Sequence, residues 1–175
     1  MRALALLLAS SVVVAPAAGR LSVAPTDVSR PLLGPPWISI EHPVNPYDQT
    51  TKGAFLVVHA FHHGTPVAFP VSGTAEGIVD GQRRSLPLAF EKTSRTGAFA
   101  LKKTWPSSGT WTLAIAVAQG SGDRAWAVVE LGGDGEVAAV RVPTKQQDGW
   151  VIPAPFAMAE IDASLRARAS RLAGR

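Results

Sequence analysis

From Trp37 onward the chain is a series of short apolar runs broken by turn residues. Residues 37–41 (WISIE) form the first predicted strand, stopped by Pro43 and Pro46. Residues 54–62 (AFLVVHAFH) are apolar, aromatic and β-branched, and they end at Gly64 and Pro66, which predicts a second strand. Residues 74–79 and 83–91 flank Asp80-Gly81. That pair predicts a hairpin, because a type I′ turn needs positive φ at both central positions. Pro87 in the second arm predicts a sheet edge or a bulge there. Phe99, Leu101 and Trp105 alternate with Ala100, Lys102 and Thr104, and Trp111, Leu113, Ile115 and Val117 alternate with Thr112, Ala114, Ala116 and Ala118. Both runs have period 2, with the larger apolar residues on one face. Pro106-Ser107-Ser108-Gly109 is the turn between them, and residues 125–131 and 136–142 pair across Gly132-Gly133-Asp134-Gly135. About eight short strands at this spacing, with no alternating βα pattern, predict an antiparallel β-sandwich.

The two ends depart from period 2. Arg2 precedes an apolar run, residues 3–18, that ends in Ala15-Pro16-Ala17. A basic end, a short apolar stretch and a small-residue cut predict a signal peptide over 1–17, cleaved after Ala17. The run is shorter than the roughly 20 residues a spanning helix needs. Residues 18–36 hold four prolines and little periodicity, a Pro-rich lead-in. The sandwich then occupies 37–145, followed over 146–175 by a linker and a basic amphipathic helix. Met158, Ile161, Leu165 and Leu172 recur at helical spacing, Pro155 suits a helix start, and Glu160 and Arg171 complement the helix dipole. The spacing predicts a helix over 156–172 that docks through Met158, Ile161 and Leu165.

The roughly 150 residues left after cleavage suit one domain with a sizeable core. There is no cysteine, so burial alone must hold that core together. The net charge of +4 belongs to the C-terminal end, where Arg166, Arg168, Arg171 and Arg175 cluster. Without those four and Arg2, 12 basic residues face 13 acidic ones. Arg83-Arg84 and Lys102-Lys103 place only one side chain of each pair on a strand face. No phosphate-tracking stripe results, which argues against nucleic acid as a partner.

Phe55 to Val117 has a layout with a family likeness: an apolar strand, the turn HGTPV, a hairpin, then GAFALKKTWPSSGTWTLAIAV. Its Gly-x-Phe strand at Gly97, Pro-x-x-Gly turn at Pro106 and Trp-x-Leu strand at Trp111 resemble bacterial extracytoplasmic immunoglobulin-like domains of the YtkA-like kind. They are also similar to periplasmic copper-resistance β-sandwiches. The resemblance implies an all-β, antiparallel immunoglobulin-like β-sandwich of about eight strands, here with a short C-terminal helix. The copper-resistance proteins carry a histidine at the processed N-terminus, where this chain would carry Ala18.

Four histidines, His42, His59, His62 and His63, fall within a short stretch, and imidazole clusters bind copper, zinc or nickel. Within a strand, however, His59 and His62 point to opposite faces, while His59 and His63 share a face about 13 Å apart. One ion needs its nitrogens at about 2.0–2.1 Å. The expectation is a packed His59 with His62 and His63 exposed at the turn. No Gly-x-Ser-x-Gly elbow is present, and Glu76, Asp80, Glu91 and Glu130 are scattered over strand rims and turns. The Gly132–Gly135 cluster lies between strands, where a hairpin turn rather than a phosphate cradle belongs. Trp105, Trp111 and Trp126 fall on apolar strand faces and are expected in the core, whereas Trp37 and Trp150 flank the domain. The expectation is therefore an exported, periplasmic or secreted, non-catalytic binding or accessory module of the bacterial envelope. Its partner is an envelope protein or a small ligand, and no residue is assigned to a catalytic, cofactor or metal role. The alternatives are a periplasmic metal-binding protein using the histidines and a secreted hydrolase.

Overall fold

The alternating segments pair as antiparallel ladders in a computed structural model that describes residues 34–174. The expected signal segment and most of the lead-in lie outside the described residues. The strands are β1 (Trp37–Glu41), β2 (Leu56–His62), β3 (Thr65–Pro66), β4 (Val71–Val79), β5 (Gln82–Pro87), β6 (Phe90–Lys92), β7 (Ala98–Leu101), β8 (Thr110–Gln119), β9 (Asp123–Leu131), β10 (Val137–Arg141), β11 (Thr144–Gln147) and β12 (Trp150–Pro153); helix α1 spans Met158–Ala173. One sheet runs β1-β2-β7-β6, with β3 paired to β2, and the other runs β10-β9-β8-β4-β5. Strands β11 and β12 form a separate hairpin. The all-β antiparallel sandwich with a C-terminal helix is thus the fold.

The core fills from one face of each sheet. Ile38, Leu56, Val58, Phe99 and Leu101 of the first meet Trp111, Leu113, Ile115, Val117 and Val129 of the second. These are the residues that period 2 places inward. Residues 83–91, expected as one strand, divide at Pro87: β5 closes the edge of the second sheet and β6 joins the first. Leu88 sits at the crossing, buried, its N–H donating to Gly73 O at 3.0 Å. Proline has no N–H to continue a ladder, so the chain changes sheets where a ladder bond would be missing. At Asp80-Gly81 both φ values are positive, 50° and 74°, as the hairpin expectation requires. Asp148-Gly149 repeats this geometry, 51° and 80°, so a hairpin stands where a linker was expected.

Strand β8 is buried on both faces. Its even positions are small, and α1 lies over them, with Ile161 and Leu165 against Ala114 and Val128 and with Ile78 and Phe156 at the margin. Full burial of two such aliphatic side chains contributes about 1.5–3 kcal/mol each. Met158, expected in this contact, is exposed. It begins the helix, ahead of the turns that touch the sheet. Trp126 faces the helix side rather than the core and meets Phe156 edge-on at 4.9 Å. Trp105 is buried although β7 ends at Leu101, and its ring meets Phe55 at 5.2 Å. Two guanidiniums tie the helix down. Arg83 bonds Glu76 at 2.7 Å and Asp162 at 2.8 Å. Arg168 donates to Leu131 O at 2.8 Å, to Trp111 O at 3.1 Å and to Thr112 Oγ1. Burial lowers the Arg168 pKa; Glu130 opposes that and Arg171 adds to it.

Candidate binding site

Residues 42–55 join β1 to β2 as a loop built from its own polar side chains. Pro43 and Pro46 end the strand, and Asn45 Oδ1 then accepts the Tyr47 N–H at 3.0 Å, an Asx turn. Asp48 caps the short 3-10 turn Gln49–Thr51, accepting the Thr50 N–H at 2.9 Å and the Thr50 hydroxyl at 2.6 Å. The Thr51 hydroxyl donates to Asp48 O at 3.0 Å, and Thr51 is buried.

This loop is clamped to the first sheet from two sides. From β1, Glu41 Oε1 accepts the Asn45 N–H at 3.0 Å. From the β6–β7 connection, Arg95 bridges two carboxylates, with Nε 3.0 Å from Asp48 Oδ2 and a terminal nitrogen 3.2 Å from Glu41 Oε2. His59 Nε2 lies 2.8 Å from the same Glu41 oxygen. Burial alone would raise the Glu41 pKa, but the Asn45 N–H, His59 and Arg95 together outweigh it and hold it below the ordinary value. Asp48 is also held low, by the Thr50 hydroxyl first and then by the Thr50 N–H, against some desolvation and with help from Arg95.

The clamped loop borders an open surface depression of about 490 Å³, lined among others by Asn45, Pro46, Asp48, Gln49, Thr51 and Lys52. Tyr47, between two lining residues, is 89% exposed. A loop braced by its own hydrogen bonds and ion pairs, an open depression of mixed polarity and an exposed aromatic ring beside it form a place where a small molecule can bind.

The histidines do not converge. His59 belongs to the clamp. His62, expected at the exposed turn, is only 8% exposed, because residue 62 shares the inward parity of Leu56, Val58 and Ala60. Its ring meets the exposed His63 edge-on at 4.2 Å, and His42 lies 3.8 Å from Glu136. Among the described residues, no group of three or more His, Asp or Glu side chains is placed to hold a metal ion. Ser39 stands directly opposite His59 in the β1–β2 register. Trp150 is 74% exposed at the turn of the β11–β12 hairpin. The glycine cluster at 132–135 forms the β9–β10 turn, with Gly132 N–H donating to Glu136 O at 2.8 Å.

Asn45, Tyr47, Asp48, Lys52 and Arg95 were not singled out by the sequence pattern. The run Asn45-Pro46-Tyr47-Asp48-Gln49-Thr50-Thr51 does carry a local signal, an Asx turn followed by an Asp cap. The role of Arg95, 54 residues from Glu41, carries none. No family model matches the chain, and no curated protein or solved structure matches it.

Proposed function

We propose that the protein is a non-catalytic binding or accessory module exported to the bacterial envelope, and that the β1–β2 loop receives its ligand. Export rests on the basic, apolar and Ala-x-Ala pattern of residues 1–17. Among the described residues, no helix is long and apolar enough to cross a membrane. The observation that carries the binding role is the clamp. Asp48 and Glu41 are both engaged by Arg95, so the loop holds its cavity before any ligand arrives. Preorganisation of this kind removes the ordering cost that weakens flexible sites. Tyr47 adds an amphipathic ring with few torsions to freeze.

The test is an NMR titration of the isotope-labelled mature protein with soluble fragments of envelope glycans and short peptides. Amide shifts confined to residues 44–54, abolished by Tyr47→Ala, are the expected result. Shifts centred on the β11–β12 hairpin instead, or loop shifts unchanged in Tyr47→Ala, overturn the assignment.

A further inference from the structure

Strand β10 is an open edge. It pairs with β9 on one side, and among the described residues no strand lies on the other. The opposite edge of the same sheet, β5, carries Arg83, Arg84 and Pro87, and charged side chains and proline guard an edge against a further strand. β10 reads Val-Ala-Ala-Val-Arg and has neither proline nor lysine. Residues 138–141 are exposed, Val140 by 44%.

The direction of its backbone groups follows from one hydrogen bond. The Gly132 N–H donates to Glu136 O, so Gly132 points toward β10. Backbone groups alternate sides along a strand, so Glu130 and Val128 point the same way, while Val129 and Leu131 point to β8. Leu131 O is indeed taken on that side by Arg168, which also holds Trp111 O. In the register, Ala139 and Arg141 oppose Glu130 and Val128 and so point inward to β9, whereas Val137 and Val140 oppose Leu131 and Val129. Val137 and Val140 therefore turn their N–H and C=O groups outward. Being three residues apart, they would point in opposite directions in a regular strand. The bulge between Val137 and Ala139 adds one residue and brings them into phase. Their side chains are in phase as well, since the residues opposite them, Leu131 and Val129, both belong to the core.

We propose that β10 is the contact of a homodimer, in which it pairs antiparallel with β10 of a second copy, Val137 opposite Val140 of that copy. An open edge recruits a further strand through main-chain hydrogen bonds, and a two-fold interface requires a patch that is its own complement. Residues 136–141, Glu-Val-Ala-Ala-Val-Arg, meet that requirement from end to end. Each Val137–Val140 pair exchanges both of its outward backbone hydrogen bonds and sets two aliphatic side chains together on the core side. Next along the register, Glu136 of each copy stands opposite Arg141 of the other. These side chains are 67% and 53% exposed, and their contacts within the chain, His42 at 3.8 Å and Glu160 at 3.3 Å, are surface pairs that yield readily. The small side chains of Ala138 and Ala139 leave the centre of the contact clear. The two five-stranded sheets then continue as one, with both copies of α1 on the same face. The proposal is independent of the β1–β2 loop and of any ligand it receives.

The test follows the mature protein by analytical ultracentrifugation from about 1 μM to about 1 mM, the range in which a modest interface associates. A monomer–dimer equilibrium is expected. Hydrogen exchange at the Val137 and Val140 amides, read by NMR, should slow at least about tenfold from the dilute to the concentrated end. Glu136→Arg should weaken the dimer by about tenfold, because it sets like charges opposite each other in both pairs, and Arg141→Glu should do the same. The double exchange Glu136→Arg/Arg141→Glu should restore the affinity, since every pair regains opposite charges. Both residues are exposed, so none of these changes threatens the fold. A monomer throughout the range overturns the proposal. So does a dimer in which the two amides exchange no more slowly, one indifferent to the single charge reversals, or one that the double exchange fails to restore.

Discussion

Gly77→Ala should destabilise the protein because of one aromatic ring. Gly77 on β4 pairs directly with Trp111 on β8. A methyl group at Gly77 would sit 2.4, 2.6 and 2.7 Å from three carbons of the indole. Carbon–carbon contacts ordinarily settle at about 3.5–4.0 Å, so the ring must retreat by about 1 Å. It has little room, being 3% exposed with Nε1 donating to Ser108 O at 2.8 Å. Overpacking of this sort costs about 1–3 kcal/mol. Replacing glycine with alanine also restricts the unfolded chain and returns about 0.4–1 kcal/mol. The net loss is about 1–2 kcal/mol, a fall of about 0.5–1 M in the urea midpoint at an ordinary dependence on denaturant. In a Trp111→Val background the methyl would enter vacated space, and Gly77→Ala should be neutral or stabilising there. Urea melts of the four proteins form a double-mutant cycle. Equal shifts in both backgrounds, or a higher midpoint for Gly77→Ala alone, would refute the packing described.

Trp111→Ala should cost about 3–5 kcal/mol and Trp150→Ala within about 0.5 kcal/mol, measured by the same melts. Leu165→Ala should cost about 2–5 kcal/mol, while the exposed Met158→Ala should change the melting temperature little. The Asp48 and Glu41 carboxyls are held below their ordinary values of 3.8 and 4.5, so their stabilisation of the loop is complete above those values. It is lost as pH falls through the depressed values, and NMR of residues 45–51 should show the loop loosening only in that acid range. Arg95→Gln should move the loosening to higher pH. N-terminal sequencing of exported protein should begin at Ala18, and recovery of intact Met1 in membranes would refute cleavage.

Period 2 made the sandwich legible because each inward position buries one apolar side chain on a shared face. Trp111, Leu113, Ile115 and Val117 are inward as their alternation requires. What alternation cannot encode is a second burial partner. Trp126 looks like a core residue in sequence, but it meets Phe156, just ahead of α1 and remote in the chain. His62 looked like a turn residue because glycine follows closely, yet its parity carries it inward. The binding loop was least legible, since prolines mark only where a strand stops. Its shape comes from Arg95 reaching Glu41 and Asp48, a contact between distant segments that no local pattern records.

The docking of α1 also bears on the order in which the molecule assembles. Every strand of both sheets precedes residue 142, whereas the helix begins at Met158. At roughly 5–20 residues per second of synthesis, the helix follows the last core strand by a few seconds. Until then Glu76, 4% exposed in the finished fold, lacks the cover that Asp162 and Arg83 complete. The alanine face of β8 is likewise bare. The nascent sandwich therefore presents one open, sticky sheet face whose cover, among the described residues, arrives last. A holdase that grips that face would delay folding without touching the core, and release would be set by the arrival of sixteen helical residues.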